Sequence, residues 1–266
     1  QHGVGSLTAE MLGLGSEDRS RETFAEAIDS NTTRFGPVYG RNATGIHFGC
    51  VSSKFENALG LIADAIRAPR FGQDDFARHI EHLTQAYERR LDYPSSLALE
   101  LFRKALWGQR HPYGRLPNGT PKVLKNRNIE ELRAWHRKIY LNTQPFLSVV
   151  GDFDPATIET SLNDRFDFLR GAQNRLPLLG PSTITSGPTV TCFHVDGDQA
   201  HLVLGFPGVR VNNPDSEALM LLMACLVSPF LASLGRASTA ALLTSPSLSF
   251  SLWLTAATTS ASPARS

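Results

Sequence analysis

GVGSLTAEMLGLGSEDRS, residues 3–20, is the stretch on which the reading of this chain turns. Leu7, Met11 and Leu12 stand at i, i+4 and i+5, with Val4 and Thr8 alongside, which is the spacing of one broad apolar helix face. Gly13 and Gly15 then end the run. A buried first helix is predicted, and any chemistry on it must come from Ser6, Ala9 or Glu10.

Working outward, the composition describes an ordinary globular chain. Its 266 residues are 41% hydrophobic and 19% charged, enough to bury one large core or two moderate ones. Lysine and arginine total 26 against 25 acidic residues, a net charge of +1 with no long block of one sign, so a nucleic-acid partner has no support. Cys50, Cys192 and Cys225 are odd in number and lack C-x-x-C spacing, so they read as small buried apolar residues and not as a disulfide framework or a thiolate metal site. No apolar run approaches the ~20 residues of a membrane span. Asn31, Asn42 and Asn118 open N-x-[ST] tripeptides, which matter only in a secreted eukaryotic protein. No signal peptide is visible. The compartment is left open, with bacterial periplasm or cytoplasm favoured over a mitochondrion.

After the first helix, Ser20 precedes an amphipathic helix through Phe24 and Ile28, and residues 34–40 and 44–52 alternate around a turn as a β-hairpin. Ser53 and Glu56 have capping-box spacing before a helix through Leu59, Ile62 and Ile66 that Pro69 stops. A long helix is predicted over 73–91 and another over 95–106. A Pro/Gly loop follows from His111 to Thr120, then a helix capped by Asn128 and Glu131. Residues 145–151, PFLSVVG, read as a strand buried in a sheet, and Asp154-Pro155 as a helix start. The expected class is α+β: a largely antiparallel sheet with helices packed on one face, in tandem related domains.

Four segments are expected. A peptidase-like α+β domain lacking its first strands covers 1–170, a Pro/Gly linker 171–188, and the start of a second similar domain 189–226. Strands at 189–195 and 200–206 and a helix from Ser216 to about Leu226 belong to the third segment. From Val227 to Ser266, 23 of 40 residues are Ser, Ala or Thr, so 227–266 reads as an aberrant low-complexity or out-of-frame tail from which no function is drawn.

Residues 1–226 resemble the pitrilysin/insulinase family of zinc metallopeptidases, which includes mitochondrial processing peptidase and the core proteins of respiratory complex III. The resemblance is carried by the Gly3–Ser20 pattern with Met11-Leu12 and Arg19-Ser20, A-P-x-F at 68–71, H-P-Y-G at 111–114 with Gly119-Thr120, V-V-G-D at 149–152 and Q-A-H-L-V-L-G-F at 199–206. Active members carry H-x-x-E-H on the first helix, two zinc-binding histidines and a glutamate general base. In the matching register the ligand positions are Ser6 and Glu10 and the base position is Ala9. A third ligand, a glutamate, is implied on the later helix, where Gln85 or Ala86 stands; Glu88 would need a slipped register. The Arg and Tyr that hold substrate backbone in the family are implied after Leu226, where this sequence departs from the pattern, so no residue is carried over for that role.

The resemblance therefore implies a non-catalytic half that lines a peptide chamber beside a zinc-bearing catalytic half or subunit. In that reading zinc belongs to the partner, the ligand is a peptide, and this chain has no catalytic, cofactor or metal residue. A structural core subunit like those of complex III is the alternative, and a free-standing zinc peptidase the least favoured. His79 and His82, spaced i, i+3, could form half a metal site but lack a third ligand, and His111 and Asp152 read as turn residues.

Overall fold

The computed structural model describes residues 3–31, 34–41, 43–170, 190–194, 199–210, 213–233, 243–244 and 247–257. Its contacts divide the chain into one unit of residues 1–87 and 116–180 and a second of 88–115 and 181–266. The stretch expected as a linker, 171–188, lies outside the described residues.

In the first unit α1 (Val4–Leu12) is the central element. Leu7 and Leu12 are 0% exposed and Met11 1%, and they share a core cluster with Phe71, Phe76, Leu83, Leu124 and Leu132. Burying each such side chain stabilises the fold by roughly 1.5–3 kcal/mol. Around α1 stand α2 (Arg21–Asn31), a hairpin of β1 (Arg34–Tyr39) and β2 (Thr44–Gly49), and then α3 (Phe55–Arg67) and α4 (Gln73–Glu88). The short α6 (Pro121–Leu124), α7 (Ile129–His136) and α8 (Pro155–Arg165) also belong to this unit. β1 and β2 pair antiparallel from Arg34 opposite Gly49 to Tyr39 opposite Thr44. Phe35 of the hairpin meets Phe24 of α2 edge to face at 5.9 Å, and Phe48 packs on Phe55 of α3.

Local sequence signals account for several element ends. Asn128 and Glu131 form the reciprocal box that opens α7, and the Asp154 carboxylate accepts from the Thr157 N–H at 2.9 Å at the start of α8. Ser53 and Glu56 form no such box. Residues 52–54 coil into a 3₁₀ turn, so α3 begins one residue later with Lys54 as its N-cap, and Glu56 instead accepts from Ser161 Oγ. Gly15 has φ +125°, and a Cβ there would lie 2.8 Å from the Arg19 carbonyl. That residue turns the chain out of α1 and accepts a backbone bond from Arg70 N–H.

In the second unit α5 (Pro94–Trp107) packs on β3 (Gln199–Arg210), where the absent side chain of Gly205 leaves room for the Phe102 ring. α9 (Ser216–Ser233), β4 (Leu243–Thr244) and β5 (Ser247–Ala257) follow. β5 lies between β3 and β4, and all three are antiparallel.

The class is α+β as expected, helix-rich with small antiparallel sheets. Three local expectations are corrected. Residues 145–151 form no strand: they pair with nothing among the described residues, and Phe146 and Val150 are 92% and 95% exposed. Residues 190–194 are likewise not a strand, and the partner of β3 is β5, inside the segment read as an aberrant tail. Cys192 and Cys225 are exposed, and only Cys50 is partly covered.

Candidate functional site

The face of α1 that bears Ser6, Ala9 and Glu10 has i, i+3, i+4 spacing, which brings three side chains to one side of a helix. Here that side is filled from within the unit. Ser6 is 3% exposed, and its hydroxyl lies 3.1 Å from the Gly3 carbonyl and 3.2 Å from the Pro117 carbonyl. Gly3, with φ +82°, lets the chain enter α1 beside Asn118, Gly119 and Leu124. The loop 116–119 therefore lies over the first turn of α1, and Ser6 joins the two.

Ala9 is 0% exposed and carries nothing that takes up a proton. Gly5, on an adjoining face, leaves space for the Tyr39 ring of the hairpin. Glu10 is the one residue of α1 exposed to solvent. Partial burial raises its carboxyl pKa, and the charge of His82 on α4 partly offsets that rise. The structure thus brings together Glu10 and His82, a pair the sequence did not suggest because the two residues are far apart in the chain.

On α4, His79 is half-buried, with Nε2 lacking a hydrogen-bond partner, and its ring centroid lies 6.1 Å from that of exposed His82. Burial first, and the charge of His82 second, hold the His79 pKa below its ordinary value. Gln85, Ala86 and Glu88, the candidates for the third-ligand place, are all exposed, and Gln85 donates to Glu81 at 3.3 Å.

The donor set does not fit the zinc of the active peptidases. Its α1 positions hold a hydroxyl facing backbone carbonyls, a methyl group and one carboxylate. Among the described residues no group of three His, Cys, Asp or Glu is arranged to hold a metal ion.

Other polar clusters have structural partners. His111 caps the 3₁₀ turn 112–114, its Nδ1 accepting from the Tyr113 N–H at 3.2 Å, and its ring stacks on Trp107 at 4.8 Å. The Asp152 carbonyl oxygen lies 3.5 Å from Ser52 Oγ. A cleft of about 290 Å³ lined by Arg21, Glu22, Arg70, Asp74, Asp75 and Arg78 has balanced charge. Asp75, buried at its floor, accepts from Arg78 at 2.6 Å and Arg21 at 3.4 Å, tying α2 to the start of α4. Among the described residues no helix is long and apolar enough to cross a membrane.

Comparison with known proteins places this architecture. Residues 127–249 match the model of the peptidase M16 inactive domain. The chain is 24% identical over 205 residues to an uncharacterised zinc protease of Mycobacterium leprae, covering 76% of this chain and 46% of that protein. An uncharacterised zinc protease of Rickettsia bellii is 24% identical over 213 residues, 80% of this chain and 50% of its own. The chain thus spans about half the length of these curated relatives. Among solved structures, a peptidase M16 inactive domain from Pseudomonas fluorescens superposes with a TM-score of 0.82 at 21% identity, covering 96% of this chain and 65% of that one. The periplasmic protease PqqL of Escherichia coli gives 0.68 at 14% identity, with 95% of this chain and 30% of that one covered.

Residues 127–249 thus match the family that the resemblance to the pitrilysin/insulinase peptidases implied, and the chain resembles the non-catalytic half of such proteases. The match begins at residue 127, so Ser6, Ala9 and Glu10 lie outside it, and it runs to 249, into the Ser/Ala/Thr-rich segment.

Proposed function

We propose that this chain is a non-catalytic domain or subunit of a zinc metalloendopeptidase, and that it walls part of a peptide chamber completed by a zinc-bearing half. The observation that carries this reading is the filled face of α1: Ser6 faces the carbonyls of Gly3 and Pro117, and Ala9, which takes the general-base position in the register the resemblance implies, is buried. Replacing a glutamate base by a methyl group removes proton transfer from the attacking water, a contribution of ~10²–10⁴-fold in rate. The matched inactive domain and the relatives named zinc proteases support the same division of labour.

The part left to such a half is binding. β1 and β2 pair only with each other among the described residues, so the hairpin has open edges. An open edge takes an extended peptide as an added strand through main-chain bonds, which need no particular side chain.

The test is to purify the chain, load it with a fluorogenic unfolded peptide, and add an H-x-x-E-H-bearing M16 half. The expected result is peptide binding without cleavage by the chain, and faster cleavage by the mixture than by the zinc half alone. Absence of both peptide binding and stimulation overturns the reading, and co-purification with a respiratory membrane complex would point to a scaffold instead.

A further inference from the structure

Charge is unevenly spread over the first unit. Between Ser30 and Phe55, around the hairpin, stand Arg34, Arg41 and Lys54 and no acidic residue. Between Leu116 and Leu141, through α6 and α7, six Lys or Arg stand against Glu130 and Glu131. The rest of the chain has the opposite excess, 17 basic against 23 acidic residues. Both glutamates are already taken, since Arg127 lies 3.0 Å from Glu131 and Arg133 3.6 Å from Glu130. Arg34, Lys122, Lys125, Arg137 and Lys138 are exposed, and among the described residues none of them has an ion-pair partner. The fold keeps them there. Leu124 is buried between Lys122 and Lys125, and the buried Leu132, His136, Ile139 and Tyr140 leave Arg137 and Lys138 on the solvent side of the segment. The turn after α7 is also tied to the hairpin, because the Tyr140 and Thr44 hydroxyls lie 2.5 Å apart. This brings the segment that carries Arg137 and Lys138 to the end of the hairpin where Tyr39 pairs with Thr44, while Arg34 opens the other end.

We infer that the hairpin and the end of α7 form a docking surface for an acidic peptide, an extended Asp/Glu-rich segment whose carboxylates meet Arg34 at one end and Arg137 and Lys138 at the other. A strand of the hairpin has six residues, a span of about 20 Å, so a ligand segment of similar length reaches from one set of cations to the other. Each exposed pair contributes little, but several cations without counter-charges build a positive potential that attracts acidic ligands and rejects basic ones. Lys122 and Lys125 add to that potential from the same unit. A peptide fits better than a nucleic acid, because it alone can pair its main chain with the open edge of the hairpin. It fits better than a lipid surface, because the solvent side of α7 carries Glu130, Ala134, Arg137 and Lys138 and no large apolar side chain to insert. The inference rests on the peptide-binding reading above and adds the class of peptide.

The experiment uses the whole chain and three synthetic peptides of about 12 residues, identical except that alternate positions carry Glu, Gln or Lys. Each bears the same neutral dye, and binding is read by fluorescence anisotropy at about 20 and about 300 mM salt. The expected result is that at low salt the Glu peptide binds about tenfold or more tightly than the Gln peptide, with the Lys peptide weakest. At the higher salt that advantage shrinks to about twofold or less. Arg137→Glu combined with Lys138→Glu removes the preference for Glu over Gln, and Arg34→Glu lowers it by about threefold. Both variants melt with the wild type, because the altered side chains are exposed. Equal binding of the three peptides overturns the inference and leaves the peptide-binding reading standing, whereas binding of none overturns both. Tighter binding of phosphatidylglycerol vesicles or of a single-stranded oligonucleotide than of the Glu peptide, lost in the same variants, also overturns it, since the surface would then serve another class of partner.

Discussion

Ser6 ties the first turn of α1 to the loop at Pro117. Its hydroxyl is held at 3.1 and 3.2 Å from two backbone carbonyls, one of them in the loop at Pro117. Ser6→Ala leaves the Pro117 carbonyl without that donor and is expected to cost roughly 1 kcal/mol, read as a lower urea midpoint with unchanged slope. Zinc retention is not expected to change. Gly15→Ala is expected to cost more, about 1–3 kcal/mol, because φ is +125° and the Arg19 carbonyl would lie 2.8 Å from the new Cβ. Thermal melts of the two variants check the order. That Ser6, Ala9 and Glu10 share one helix face was legible in the sequence from their i, i+3, i+4 spacing within α1. The proximity of Glu10 to His82 was not, because it depends on how α1 packs against α4.

Among the elements, α1 and the run 145–151 are opposites. Both are apolar, but Leu7 is 0% exposed whereas Val150 is 95% exposed. Leu7→Ala is expected to destabilise by about 2–5 kcal/mol, and Val150→Asp by less than about 0.5 kcal/mol, a contrast that differential scanning calorimetry resolves. Composition alone read both as buried, since it cannot say whether a strand finds its neighbours. The reverse error occurred at β5. Leu248, Phe250, Leu252 and Leu254 alternate with Ser247, Ser249, Ser251 and Trp253, a period-2 strand signal. The abundance of serine, alanine and threonine masks it, and the alternation at 189–195 points there for the partner of β3. Caps were more legible: Asn128 and Asp154 act as their sequences predict, while Ser53 does not, because a 3₁₀ turn displaces the helix start.

For the whole molecule, buried titratable groups set a pH range. Burial holds His136 below its ordinary pKa, against the opposing effect of its Nε2–H bond to the Ile66 carbonyl at 2.7 Å, and burial lowers His79 as well. The unfolded chain therefore binds more protons than the native one below about pH 6.5. Stability is expected to be full above that value and to fall as the pH drops through it. Tyr140 is pushed up to about 12 by burial, so the native chain keeps a proton that the unfolded chain loses above about pH 10. Stability falls again there, by roughly 2–3 kcal/mol at most between pH 10 and 12. Urea titrations across pH check both limbs, and Tyr140→Phe is expected to flatten the alkaline one.

Whether this chain binds peptide without cleaving it, as proposed, is decided by incubating the purified chain alone with zinc and an unfolded reporter peptide and measuring chelator-sensitive cleavage. No such cleavage is expected at any zinc concentration that leaves the chain folded. Cleavage that zinc supports, a chelator removes and fresh zinc restores would contradict the proposal.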